Sequence, residues 1–311
     1  MDYYIVIQTT TPIFLLIGIG FLSRKIGVLK SGDQRVLSAY VYYFALPALF
    51  FINMVETVFT EETFRFMFAG IIPVFVVLTV YTLFYLIFRF SRNTLYLLIL
   101  STIFGSLSFF GIPFIMFAFP IQGENIATMA SAAISPISIA ISITVLELYR
   151  LEKSTMWNGL KHVVKRLSKN PLIISILSGA LLSLVGLKIP FPISTFLHML
   201  GGTASTIALF MLGVFLYGRT YINKANALKL SLLRIIFLPV VALLTTMLFY
   251  LNDVERSTLV LMHGMPIAIS MLVLSERYDF NKETIASLIL ISSLGAGIYL
   301  NLWLLFLGHL T

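Results

Sequence analysis

The sequence predicts an all-α polytopic membrane protein. Ten transmembrane helices form two five-helix halves of opposite orientation, an inverted repeat, with helices 4 and 9 broken. Three observations predict this. Apolar runs long enough to cross a bilayer recur along the whole chain. Basic residues crowd into alternate loops. A glycine and a proline two residues apart interrupt one run in each half, as Gly111-Ile112-Pro113 and Gly264-Met265-Pro266.

Composition narrows the class before any motif is read. The 311 residues are 59% hydrophobic and 11% charged, against about 25% charged in an average globular chain. Mean hydropathy is +0.99. The net charge of +8 would suggest nucleic acid in a soluble protein. Here the basic residues fall between spans, so they read as topology signals and contacts to anionic membrane lipids, with no nucleic-acid partner. Cysteine is absent, which excludes disulfides, thiolate metal sites and cysteine nucleophiles. The N-terminal stretch MDYYIVIQTTTPIFLL has no basic n-region, so no cleaved signal peptide is expected.

In chain order, the spans run over about 3–22, 35–54, 64–88, 93–119, 126–148, 171–187, 194–217, 228–250, 256–275 and 283–308. With the N-terminus outside, the cytoplasmic loops hold five basic groups. They are Arg24 to Arg35, Arg89 with Arg92, Arg150 to Lys169, Arg219 to Lys229, and Arg277 with Lys282. The opposite loops hold only Arg65, Lys188 and Arg256. This asymmetry supports ten spans in a multi-pass cell-membrane protein with both termini outside. Residues 1–150 form the first five-helix repeat and 171–311 the second. Between them, 151–170 reads as a cytoplasmic amphipathic linker. Met156, Trp157, Leu160, Val163, Val164 and Leu167 lie on one helical face and lysines on the other. A solvated basic linker is the other reading of the same residues.

The halves correspond. Pro12, Gly20 and Gly27 align with Pro171, Gly179 and Gly186; Ala48-Leu49-Phe50 with Ala208-Leu209-Phe210; Pro73-Val74 with Pro239-Val240. The two Gly-x-Pro tripeptides align, as do Thr128-x-Ala130-Ser131 and Thr284-x-Ala286-Ser287. Five spans is an odd number, so the second repeat enters the membrane inverted.

The tripeptides are the candidate site. Proline lacks an N–H and its ring clashes one turn back. In hydrocarbon, broken backbone persists only where protein or a watery cavity satisfies it. The second half-helix exposes free N–H groups with partial positive charge, which attract anions. No Lys, Arg, Asp or Glu lies in the middle of a predicted span, and Glu147, Glu276 and Arg234 fall near cytoplasmic ends. The expected carboxylate cradle therefore uses backbone dipoles and no basic side chain. Chemistry through membrane-buried aspartates is disfavoured.

Side chains near the breaks add detail. His263 is the titratable group adjoining a break, suited to proton coupling by its ordinary pKa of about 6.5, or equally a neutral histidine bonded inside the bundle. Ser131, Ser135, Ser138 and Ser142 share one face of the fifth helix, and Ser293, Gly297 and Asn301 one face of the tenth. Small residues in such rows permit close packing, and they can also line a cavity. Asn301 is expected to partner unwound backbone. P-loops, metal-ligand clusters and catalytic triads are not found. The chain is not expected to be an enzyme or to carry a cofactor, a catalytic residue or a metal site.

LSAYVYYFALPALFF in the second span, the GIP break and MPIAISMLVLSERYD in the ninth together resemble the auxin efflux carrier family over essentially all ten spans. The short central loop is similar to the prokaryotic members rather than the plant PIN auxin carriers. The resemblance implies a crossover fold shared with bile-acid sodium symporters, in which helices 4 and 9 unwind and cross. It implies a scaffold of helices 1, 2, 6 and 7, often forming a homodimer. Helices 3–5 and 8–10 would be the mobile transport domain of an elevator-type mechanism. Family members commonly flank the two prolines with asparagine. Here Ser106 and Ser108 precede Pro113, and Ser270 follows Pro266.

The expected function is a secondary active transporter or facilitator of a small organic anion, a carboxylate, by alternating access. Its substrate-binding residues would be Ser106, Ser108, Gly111, Pro113, Ser135, Ser138, His263, Gly264, Pro266 and Ser270. The coupling ion, if there is one, would be a proton or sodium. The alternatives are a sodium-coupled symporter of the bile-acid type and a non-transporting membrane sensor.

Overall fold

The computed structural model describes residues 3–150, 164–165, 168–218 and 224–310. Among these the chain is all-helical, with no strand and one isolated β-bridge. Most of the expected amphipathic linker lies outside the described residues.

Twelve helices are described. They are α1 (Tyr3–Lys25), α2 (Asp33–Glu56), α3 (Glu61–Phe88), α4 (Arg92–Ile103), α5 (Leu107–Ala118) and α6 (Gly123–Arg150). They continue as α7 (Pro171–Val185), α8 (Phe191–Leu216), α9 (Ala225–Thr246), α10 (Asp253–His263), α11 (Ser270–Tyr278) and α12 (Lys282–Leu310). Six of them, α2, α3, α6, α8, α9 and α12, are long and apolar enough to cross a membrane. The chain is thus a multi-pass membrane protein.

Local chemistry sets the ends. Asn170 caps α7 by accepting from the Leu172 and Ile173 N–H groups, and Pro171 supplies a first-turn residue that needs no N–H. Gly186, at φ +73°, closes the same helix in the left-handed conformation that glycine tolerates. Asn252 and Glu255 form a capping box on α10.

Prolines leave a repeated signature. A five-residue π-turn ends two residues before Pro47, Pro113 and Pro239, at Val41–Ala45, Leu107–Gly111 and Leu233–Phe237. Widening the turn absorbs the missing donor and the ring clash without ending the helix. This moves the first interruption. Gly111 is helical at φ −66°, ψ −50°, and the chain leaves the helix upstream, at 104–106. The second interruption lies where the sequence placed it, with Gly264 closing α10 and residues 265–268 non-helical.

The chain divides into two compact units. One comprises Met1–Arg65, Ser108–Ala132 and Lys169–Arg219, the other Phe66–Leu107, Ala133–Ser168 and Thr220–Thr311. In the first unit, α1 and α8 meet backbone to backbone. A Cβ on Gly20 would overlap the Phe210 carbonyl, and one on Gly213 the Ile17 carbonyl. A Cβ on Gly179 of α7 or Gly201 of α8 would also crowd the backbone of Phe51 or Leu49 of α2, less severely. Small residues create this contact, as expected where lipid supplies no hydrophobic drive between helices. In the second unit the core is α10, where every residue from Ser257 to His263 is buried.

Candidate functional site

The two interruptions of the second unit pair with each other. The Ser106 N–H donates to the Pro266 carbonyl (2.7 Å), and the Ala268 N–H to the Phe104 carbonyl (3.1 Å). Gly105 and Ile267 form the antiparallel bridge between them. The Ile267 N–H donates to Ser292 Oγ of α12 (3.1 Å).

The carbonyls left at the ends of α4 and α10 share one side-chain partner. Arg234 of α9 is 1% exposed. Its Nε donates to the Met265 carbonyl (2.8 Å) and its Nη1 to the Thr102 (2.6 Å) and Ile103 (3.2 Å) carbonyls. Its Nη2 donates to the Met262 carbonyl (3.3 Å). A Cβ on Gly105 would overlap this guanidinium, so the glycine is required by close approach. No described carboxylate pairs with Arg234. Its charge is met by the C-terminal ends of α4 and α10, each equivalent to about −0.5 of an elementary charge. Two such ends offset about one positive charge.

This corrects the sequence reading of a basic-free centre. The eighth span was set at about 228–250, which put Arg234 near its edge. The helix is Ala225–Thr246, so Arg234 lies near mid-span. An arginine inside an apolar run is a functional signal by default, and that signal was present in the sequence.

The other candidates divide between the units. In the second unit, Ser106 is 7% exposed and its hydroxyl has no described partner. Ser135 and Ser138 are buried on α6, and Ser138 Oγ has no partner. His263 is fully buried at the end of α10, its Nε2–H donating to the Gly70 carbonyl of α3 (2.9 Å) and its Nδ1 unpartnered. That bond selects the Nε2–H tautomer, because a carbonyl only accepts. Ser270 begins α11, whose N-terminus has no side-chain cap. Asn301 does not reach unwound backbone. Its Nδ2 donates to the Gly297 carbonyl in its own helix (2.6 Å), and Ser292, one face over, takes the role expected of it.

In the first unit, Ser108 is hydrogen-bonded to Ser131 (2.9 Å). Pro113 lines a cavity of about 230 Å³ with Leu16, Ile112, Glu124, Gly201 and Thr206 among its walls. Glu124 gives this cavity the wrong sign for a carboxylate.

The family comparison decides the class. A family model described as membrane transport protein matches residues 5–304. The chain belongs to that family. It is the family of the auxin efflux carriers, so the resemblance read from the sequence holds. Among its relatives are the uncharacterized transporter YfdV of Escherichia coli K12, 26% identical over 308 residues and covering 94% of this chain and 95% of its own. Another is the uncharacterized transporter MJ1031 of Methanocaldococcus jannaschii, 25% identical over 305 residues with the same coverage. The family is one of transporters, and the chain is a membrane transporter rather than an enzyme.

Proposed function

We propose that the chain is a secondary active transporter or facilitator of a small organic anion. The observation that carries this reading is the paired interruption at 104–106 and 265–268, organised by a buried arginine, in a family of membrane transporters. Arg234 neutralises the negative ends of α4 and α10. The uncapped N-terminus of α11 keeps its partial positive charge, and anions favour such ends. The substrate carboxylate binds in the second unit, against Ser106, Ser135, Ser138, Gly264, Pro266 and Ser270. Ser108, Gly111 and Pro113 lie in the first unit, where Glu124 beside Pro113 disfavours a carboxylate, and are assigned no contact with it.

In this reading each interrupted pair, α4 with α5 and α10 with α11, is one crossing. Counting α1 and α7, the chain then crosses the membrane ten times as a 5+5 inverted repeat with crossing helices 4 and 9. Crossings 1, 2, 6 and 7 form the scaffold, which homodimerises, and crossings 3–5 and 8–10 form the transport domain of an elevator-type cycle. The protein sits in the cell membrane with both termini outside, a reading that the excess of basic residues in alternate loops supports.

Uptake of small carboxylates into proteoliposomes tests the function. Saturable flux is expected; folded protein that passes none of them overturns it, and binding without flux identifies a sensor. His263 is the residue assigned to proton coupling. A His263→Gln variant whose uptake profile between about pH 5 and pH 8 matches the wild type removes that assignment.

A further inference from the structure

Four backbone carbonyl oxygens, of Thr102, Ile103, Met262 and Met265, are gathered around one guanidinium within the second unit. Three belong to the C-terminal ends of α4 and α10 and the fourth, of Met265, to the interrupted segment after α10, and helix C-termini favour cations. A cluster of carbonyls of this kind replaces the hydration shell of an alkali cation in other membrane proteins. Here the space between them is already filled. The Arg234 guanidinium donates to all four oxygens at 2.6–3.3 Å, and Gly105 provides the space by lacking a Cβ. No described carboxylate competes for the charge.

We propose that Arg234 is a tethered cation that permanently occupies a cation site formed by the crossed interruptions, so that the crossover holds together without sodium. A sodium ion bound there would need those carbonyls free. This chain has spent them on its own side chain. The inference deepens the transporter reading, but it concerns what stabilises the crossover and needs no transported substrate to be tested.

Three observations point the same way. The guanidinium is buried, so its charge is fixed in place rather than shared with solvent. Its donors form a planar fork, which reaches carbonyls from two helices at once; a lysine ammonium is a compact point charge on a flexible stem. Gly105 lies on the interrupted backbone itself, so the slot and its occupant are specified by residues far apart in sequence.

The test is thermal unfolding of purified protein in detergent, with sodium chloride exchanged for choline chloride. The wild type is expected to melt at the same temperature in both. The Arg234→Gly variant, prepared throughout in millimolar guanidinium, is expected to melt well below the wild type after guanidinium is removed. At least half of the loss should return when it is restored, with the wild type unmoved at the same concentration. A sodium-specific rise in the wild type overturns the proposal. So does a variant that guanidinium fails to stabilise, including one that never accumulates as folded protein with guanidinium present. Loss of carboxylate flux would sink the transport reading and leave these results untouched.

Discussion

Gly105 and Arg234 fit as slot and plug: the guanidinium lies where a Cβ on residue 105 would have to be. Gly105→Ala therefore forces the arginine off its carbonyls. The expected cost is about 2 kcal/mol or more, the scale of overpacking a tight interior. The same substitution in an Arg234→Met background should cost clearly less, because the collision is gone. Melting temperatures of the two single variants and the double variant check this coupling. Equal costs in both backgrounds would mean that position 105 is intolerant for another reason.

Ser292 and Asn301 lie on the same long helix but differ in what they hold. Ser292 satisfies the Ile267 N–H on the interrupted segment, while Asn301 bonds only within its own turn. Ser292→Ala leaves a buried donor unpaired, at about 1–3 kcal/mol. Asn301→Ala leaves no such orphan behind, and removes the Oδ1 that has no described partner. Unfolding of the two variants side by side should place Ser292→Ala as the more damaging.

In the first unit, Gly20 and Gly213 bring α1 and α8 into backbone contact, whereas Gly18 has nothing within 4 Å of a Cβ. Gly20→Ala and Gly213→Ala should each lower stability by roughly 1–3 kcal/mol. Gly18→Ala should be neutral or raise it by up to about 1 kcal/mol, the helix-propensity difference. Thermal unfolding of the three variants separates close approach from a general dislike of substitution.

Much of this was legible in the sequence because membrane constraints act on composition and order. Apolar runs, loop charges and the LSAYVYYFALPALFF and MPIAISMLVLSERYD stretches pointed to a membrane transporter of this family. The second interruption, at Gly264 to Pro266, was placed correctly because glycine ends α10 and proline follows it. The first was placed at Pro113, which a π-turn carries inside a helix, while the chain unwinds at Gly105. That glycine has no proline beside it, and only the arginine filling its missing side chain explains it. Arg234 itself was misjudged because span edges read from hydropathy drift by a few residues, enough to move a mid-membrane charge to the rim. Ser292 was passed over for Asn301 because it lies one residue off the Ser293–Asn301 row and so faces different neighbours, which only packing resolves.

The measurement that tests the central claim most directly is a structure of the protein bound to a carboxylate that it transports. The account predicts density for the carboxylate in the second unit, against Ser106, Pro266 and the start of α11 at Ser270, with Arg234 still holding its four carbonyls. Density confined to the cavity beside Pro113 and Glu124 in the first unit, with the paired interruptions untouched, would contradict it.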